Sequence, residues 1–146
     1  MDFRLVAGGQ DGFPEDRSLV LPDFAHQSCA MSAAWYAKVG YVPPWIGYFA
    51  VSAGIAVGGG GFKEAPRDGR VEIAYFTVPE FEGRGFASRT ARALVAIARA
   101  ADPTLIIAAQ TLPTENASTA ILRNLGFRLD RTIDHPEDGK VWEWLT

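Results

Sequence analysis

The sequence contains little cysteine and little histidine. Its 146 residues include one cysteine, Cys29, and two histidines. A single thiol cannot form an internal disulfide or a multi-thiolate metal site. We therefore expect no metal centre and a reducing environment, with the cytoplasm as the expected location. Cys29 lies in an apolar helical stretch, which favours a core residue over a nucleophile.

The sequence also lacks long apolar runs and an excess of basic residues. No run approaches the ~18 apolar residues of a membrane helix, and the N-terminus has no apolar signal core. Fourteen lysines and arginines face seventeen acids, giving a net charge of −3, which disfavours sequence-independent nucleic-acid binding. We expect neither a membrane nor a nucleic-acid partner. The length and the apolar content of 48% predict one packed domain over residues 1–146.

The hydrophobic pattern predicts an α/β fold of the α+β type. Helices are predicted from Asp23, as N-cap, to Val39 with a stop at Gly40, and over 87–101 and 116–125. Strands are predicted over 1–7, 45–52, 55–62, 71–78, 104–111, 127–133 and 141–145. The strand–helix–strand unit over 71–111 requires a parallel pair, whereas short turns at 53–54 and 138–139 predict antiparallel hairpins. Strand 71–78 is apolar apart from Glu72, which predicts a central strand covered on both faces. The run 58–61, four glycines, predicts a bulge or a close backbone approach.

A glycine-rich loop, Glu82-Gly83-Arg84-Gly85-Phe86-Ala87, joins this strand to a helix start. The first amides of a helix lack internal partners and favour anions. Glycine allows the backbone to approach a phosphate closely, so the loop suits a pyrophosphate. A glycine-rich turn without a ligand is the open alternative. A dinucleotide fingerprint is disfavoured because its third glycine is replaced by Ser88, and the Gly-Lys-Ser/Thr ending of a triphosphate loop is absent.

Four stretches of the sequence, in this order, resemble the GNAT superfamily of acyl-CoA-dependent N-acetyltransferases. They are PPWIGYFAV (43–51), VEIAYFTVPEFEGRGFAS (71–88), NASTAILRNLGF (116–127) and GKVWEW (139–144). The branch of this sequence looks similar to the ribosomal-protein N-terminal acetyltransferases. Gly85 and Ala87 match the last fixed positions of the family's Gln/Arg-x-x-Gly-x-Gly/Ala motif, and Glu82 departs from the first.

The resemblance implies a mixed, mostly antiparallel sheet with one parallel, splayed strand pair and flanking helices. It implies acetyl-CoA as cofactor and direct transfer of the acetyl group to a primary amine, on a small molecule or a protein N-terminus. It is compatible with a homodimer. The cofactor-binding residues that it implies are Phe76 and Val78 through their backbone, Gly83, Arg84, Gly85, Phe86, Ala87 and Ser88 around the pyrophosphate, and Asn116 and Ser118 near the pantetheine arm.

Catalysis requires that the amine lose its proton, since an alkylammonium is not nucleophilic. Glu72, the one charge within its strand, is the candidate base; a solvated carboxylate paired with Arg70 is the alternative. Family resemblance assigns the acceptor pocket to the region of Trp35, Tyr36 and Trp45, for which core packing is the alternative.

Many family members carry a tyrosine as general acid in the last helix, where this chain has Ile121-Leu122-Arg123. That absence, together with Glu82, leaves a second hypothesis, a catalytically degenerate acyl-CoA-binding module. The sequence does not identify the acceptor, and protein N-termini, polyamines, amino acids and antibiotics all stay open.

Overall fold

The computed structural model describes residues 2–146, with all their side chains except that of Phe24. Three α-helices lie in this range: α1 (Asp23–Val39), α2 (Phe86–Ala101) and α3 (Ala117–Asn124). A short 3-10 helix, Pro79–Phe81, precedes α2. The seven strands are β1 (Phe3–Ala7), β2 (Gly47–Ser52), β3 (Ile55–Phe62), β4 (Arg70–Thr77), β5 (Ile106–Thr111), β6 (Arg128–His135) and β7 (Gly139–Leu145).

All seven strands form one sheet in the order β1-β2-β3-β4-β5-β7-β6. Among the strand pairs of residues 2–146, β4 and β5 are parallel and the other five pairs are antiparallel. The α2 crossover joins the parallel pair, because parallel strands need a long connection. This topology confirms the predicted mixed, mostly antiparallel sheet and both predicted hairpins.

Each predicted helix and strand is confirmed, with its ends within two residues of the prediction. Helix α1 ends as predicted at Gly40, whose positive φ of 97° is one that glycine adopts without strain. Its start differs from the prediction. Pro22 holds the N-cap position and Asp23 lies in the first turn, where its charge favours the helix dipole without capping an amide.

The main core lies between the sheet and the helices α2 and α3. Helix α2 packs on β3 and β4, and Trp144, fully buried, packs beside Leu94 and Leu122. The remaining buried members of this cluster are Phe62, Val71, Ile73, Ala98, Leu105, Ile107, Ala109 and Phe127. None of the helices in the described part of the chain combines the length and the apolar character needed to cross a membrane.

Strand β4 is central in the sheet but is not covered on both faces. Its side chains alternate: Val71 and Ile73 are buried in the main core, whereas Ala74 and Phe76 are exposed on the opposite face. The prediction of two covered faces is therefore wrong at this end of the strand. The apolar residues of β4 serve the core on one side and line an open surface on the other.

The glycine run of β3 permits a close approach of three strands, as predicted. A Cβ atom on Gly58 would lie 2.3 Å from the carbonyl oxygen of Phe76, and one on Gly61 would lie 2.5 Å from that of Ile46. The β2–β3 register shifts between Ala50 and Val51, as at a bulge. A larger residue at Gly58 would push β4 away from β3, and one at Gly61 would push away the backbone of Ile46 and Gly47.

We predict that Gly58→Ala destabilises the fold by about 3 kcal/mol, the upper end of the usual cost of overpacking. The atoms that the new Cβ would meet belong to the backbone of Phe76 and Thr77, which cannot turn aside as a side chain can. Thermal or urea unfolding measures the change. The matched control is Gly69→Asn, since Gly69 has φ +74° and open space around its Cβ position. Asparagine tolerates this conformation, and the control should stay within about 0.5 kcal/mol of the parent. Equal stability of the two variants would contradict the close-approach account.

Candidate active site

The two parallel strands separate before they end. Their pairing runs from Arg70 opposite Ile106 to Ile73 opposite Ala109 and stops there. Beyond this point, β4 continues to Thr77 beside β3, and β5 continues to Thr111 beside β7. A wedge-shaped opening therefore lies in the middle of the sheet, between two strands that are each held from the outside.

Backbone directions on β4 decide which groups face this opening. The amide of Val78 donates to the carbonyl of Val57 at 2.8 Å, and the amide of Lys63 donates to the carbonyl of Glu72 at 3.0 Å. Because these directions alternate along a strand, every even-numbered residue of this stretch, Phe76 included, points its backbone groups towards β3.

The odd-numbered residues point the other way, towards β5. The amide of Ile106 accordingly donates to the carbonyl of Gly69 at 2.9 Å. Past the end of the pairing, the N–H and C=O groups of Tyr75 and Thr77 face the opening. The backbone groups of Phe76 and Val78, predicted to contact the cofactor, therefore face β3, and those of Tyr75 and Thr77 face the opening.

The glycine-rich loop leads from this opening to the start of α2. Gly83 and Gly85 have φ values of 80° and 81°, and Gly85 holds the N-cap position. No side chain caps this end of the helix, so the first amides, at Phe86, Ala87 and Ser88, lack an intrahelical partner. The Phe86 side chain is buried and anchors the helix start, while the loop backbone is exposed. The local geometry provides an anion site.

Charges of both signs surround the loop. The guanidinium of Arg84 lies 5.7 Å from the ring centre of Phe81, and that of Arg89 lies 5.9 Å from the ring centre of Phe86. Glu82, the residue that departs from the family motif, is exposed. Its carboxylate is solvated there, which reduces its repulsion of a bound anion.

A cavity of about 260 Å³ occupies the opening. Asn116 and Ser118, which are predicted to lie near the pantetheine arm, line it together with Ala74 of β4. Asn116 has a second role that the sequence did not reveal. Its side-chain oxygen accepts from the amide of Thr119 at 3.1 Å, and the Thr119 hydroxyl accepts from the Asn116 amide at 2.9 Å. This capping box fixes the start of α3 at the rim of the cavity.

Two further residues of the opening were missed by sequence reasoning. Tyr75 lines the cavity, and its hydroxyl is buried without a hydrogen-bond partner. Gln110 lines both this cavity and a larger groove. The available signal was a polar side chain near the carboxyl end of each parallel strand, the edge at which α/β sheets usually bind ligands.

The larger groove, of about 470 Å³, adjoins the cavity at Gln110. Glu72 lines it, as the prediction of a cleft-facing carboxylate requires, with a quarter of its side chain exposed. Its surroundings differ from the apolar ones expected, since the ammonium of Lys63 lies 3.3 Å from its carboxylate. Arg70, the partner considered from sequence, instead pairs at 3.1 Å with the buried Glu143.

The three aromatic residues predicted for the acceptor pocket have different positions. Trp35 lines the groove, with 39% exposure, and its indole N–H donates to the carbonyl of Lys63 at 2.5 Å. Tyr36 is buried, and its hydroxyl accepts from the amide of Gly47 at 2.6 Å. Trp45 packs edge-on against Phe62 at 5.0 Å. Core packing therefore accounts for Tyr36 and Trp45, and Trp35 alone of the three lines a described cavity.

Covalent and metal chemistry have little support in the described residues. Cys29 is fully buried in α1, and burial raises the pKa of its thiol, which disfavours the nucleophilic thiolate. Across the side chains described, no group of three or more histidine, cysteine, aspartate or glutamate residues is placed to hold a metal ion.

Comparison with known families gives one match, to residues 14–128, by the family model described as Acetyltransferase (GNAT) domain. No curated protein sequence matches the chain significantly.

Solved structures share the fold at low sequence identity. The yncA protein of Salmonella typhimurium, solved with its cofactor acetyl-CoA, is 15% identical with a TM-score of 0.67 over 100% of this chain and 94% of that one. RimL, the ribosomal L7/L12 α-N-protein acetyltransferase solved with coenzyme A, is 17% identical with a TM-score of 0.66. The match covers 84% of this chain and 72% of RimL. The ribosomal-protein-S5-alanine acetyltransferase of Vibrio fischeri is 13% identical with a TM-score of 0.67. The match covers 82% of this chain and 70% of that one. Among the similar solved structures, the share of the other chain that this chain covers runs from 64% to 94%.

Proposed function

Because the chain belongs to the GNAT acetyltransferase family, we propose that it transfers an acetyl group from acetyl-CoA directly to a primary amine. One observation carries the proposal: the opening between β4 and β5 continues into the uncapped N-terminus of α2. An extended thioester fits the opening, and a pyrophosphate fits the helix end. The relatives solved with coenzyme A or acetyl-CoA support this choice of cofactor.

In the proposed complex, the backbone amides from Gly83 to Ser88 hold the pyrophosphate, with Arg84 or Arg89 as a charge-assisted partner. The pantetheine arm lies along β4 and replaces the missing strand, pairing with the backbone of Tyr75 and Thr77. Asn116 and Ser118 border the arm on the other side. The thioester then reaches the closed end of the opening, near Ile73 and Ala109.

Catalysis in this arrangement depends chiefly on holding two substrates together. A backbone N–H of β4 that faces the opening stabilises the tetrahedral oxyanion. Glu72 lies one residue before the end of the parallel pairing and lines the groove from which an amine enters. We assign it the role of general base, which accepts a proton from the incoming ammonium. The ammonium of Lys63 lies 3.3 Å from this carboxylate and holds it at the wall of the groove.

The charged lining of the groove supports a polar amine as the acceptor. Its lining includes cations (Lys63, Arg67, Arg70) and acids (Glu64, Asp68, Glu72), with the indole of Trp35 beside them. Such a mixed lining suits an acceptor that offers an amine and other polar groups. The relatives named as ribosomal-protein acetyltransferases favour a protein N-terminus within the class of primary amines.

One prediction of the proposed function concerns the N-terminal end of α2. Gly85→Glu places a side chain and a negative charge at the proposed pyrophosphate site, while the open space around Gly85 leaves the core intact. Calorimetry should show loss of acetyl-CoA binding, with a near-native circular dichroism spectrum. The thermal stabilisation that acetyl-CoA gives to the parent protein should vanish as well.

Gly69→Glu is the matched control. Gly69 lies in a different loop but has a similar positive φ and the same open space around its Cβ position, so the variant adds the same charge at the same backbone strain. It should bind acetyl-CoA like the parent protein. Retained affinity in Gly85→Glu would place the pyrophosphate elsewhere. Binding by the parent without release of CoA for any amine of a broad panel would favour the degenerate module.

Another prediction of the proposed function concerns Glu72. Glu72→Gln removes the proton acceptor, and the acetylation rate should fall at neutral pH by about 10²–10⁴-fold. The rate should partly recover at alkaline pH, where free amine is abundant, and acetyl-CoA affinity should barely change. Glu64→Gln, which alters another acid of the same groove, should keep most of the activity. Full activity of Glu72→Gln at neutral pH would assign Glu72 to structure alone.

A further inference from the structure

The imidazole of His135 is held in one orientation by the turn that follows it. This residue ends β6, and its Nδ1 atom accepts from the backbone amides of Glu137 at 3.2 Å and Asp138 at 3.3 Å. In a neutral imidazole one nitrogen accepts and the other donates, so these two bonds place the proton on Nε2. The carboxylate of Asp138 lies 3.4 Å from Nδ1 but is two-thirds exposed and solvated.

The fold itself does not use the Nε2–H group of His135. Within the described part of the chain, Nε2 donates to no other residue. The side chain lines the groove that also contains Glu72, with 28% of its surface exposed. The turn therefore presents a fixed, neutral hydrogen-bond donor at the wall of the proposed acceptor site.

The cations of the groove are already paired with acids. The ion pairs are Lys63–Glu72 at 3.3 Å, Arg67–Glu64 at 2.9 Å and Arg70–Glu143 at 3.1 Å. Among the described lining residues, Asp68 is the charged one that forms no ion pair. An acceptor with a free carboxylate would meet cations whose charge is compensated and an acid whose charge is not, which disfavours free amino acids. The neutral donor of His135 suits a neutral carbonyl oxygen instead.

The position of His135 in the sheet sets the length of an acceptor that reaches it. Strand β6 is the third strand from β4, with β5 and β7 between them. Neighbouring strands lie about 4.8 Å apart, so β4 and β6 are separated by roughly 14 Å. An acceptor with its amine at Glu72 that also contacts His135 must therefore be long. An extended polypeptide covers such a distance with about four residues.

We propose that the acceptor is the N-terminal segment of a polypeptide, and that the Nε2–H of His135 donates a hydrogen bond to a backbone carbonyl a few residues after the reacting amine. This inference rests on the proposed function and adds a specificity-determining residue to it. An extended polypeptide offers a carbonyl at every residue. A protonated polyamine is long enough but has no atom that accepts from this donor, and a single amino acid is too short.

A series of peptide amides, from alanine amide to about six residues with uncharged side chains, tests the role of His135. In the parent protein, the KM for the peptide should fall once the peptide is long enough to reach His135, while kcat stays nearly constant. In His135→Asn, the KM for the long peptides should rise about tenfold, as for the loss of one hydrogen bond. The KM for alanine amide should not change.

The choice of variants separates the donor from the turn. In His135→Asn, the side-chain oxygen can still accept from the turn amides, as in an Asx turn, while the donor at Nε2 is lost. The Tm should therefore stay close to that of the parent. His135→Gln places an amide N–H near the position of Nε2 and should restore part of the affinity. Glu137→Gln, which alters an exposed side chain of the same turn, is the matched control and should keep the parent's dependence on peptide length.

Three results would overturn this inference and leave the acetyltransferase activity standing. The first is the same dependence of KM on peptide length in the parent and in His135→Asn. The second is a loss of kcat on alanine amide in His135→Asn, which would assign the residue to the chemical step. The third is a higher kcat/KM for a polyamine or an aminoglycoside than for every peptide. A parent protein that binds acetyl-CoA but acetylates no amine would overturn the proposed function as well.

Discussion

The early end of the pairing between β4 and β5 is the constraint on which the site depends. After Ile73 and Ala109 the two strands separate, and β4 keeps the backbone groups of Tyr75 and Thr77 turned towards a missing neighbour. An unpaired strand edge presents free N–H and C=O groups that can pair with another extended chain. A cofactor with amide groups along an extended arm can supply the missing hydrogen bonds. In the proposed function, the opening combines a binding surface, an oxyanion donor and an entry route for the amine in one feature of the sheet.

Other parts of the structure keep this opening in place. The glycines of β3 allow it to hold β4 closely from the outer side, and β7 holds β5 in the same way. The capping box of Asn116 and Thr119 fixes the start of α3 at the rim. Buried Phe86 fixes the start of α2, so that its free amides lie at the end of the opening. Rigid positioning of this kind is what direct transfer between two bound substrates requires.

Much of this arrangement could be predicted from the sequence. Apolar runs and periodicity, together with glycine and proline breaks, predicted the three α-helices and seven strands of the described chain, whereas the 3-10 helix Pro79–Phe81 was not predicted. The loop at 83–88 was predicted because glycines directly before a helix start allow a phosphate to approach the free amides of the helix closely, which depends on local sequence alone. Backbone direction was not predictable, since whether Phe76 or Tyr75 faces the opening depends on the register with β3, a non-local property. The ion pair of Glu72 with Lys63 and the burial of Tyr36 depend likewise on contacts between distant segments. The unsatisfied hydroxyl of Tyr75 was also invisible, because its lack of a partner is a property of the packed structure alone.

Amide hydrogen exchange, followed by NMR with and without acetyl-CoA, tests the central claim most directly. The account predicts that the cofactor slows exchange at Tyr75 and Thr77 and at the first amides of α2, Phe86 to Ser88. Phe76 and Val78 should change little, because their backbone groups already face β3. Protection at Phe76 and Val78 with none at Tyr75 and Thr77, or no protection in β4 at all, would contradict the account.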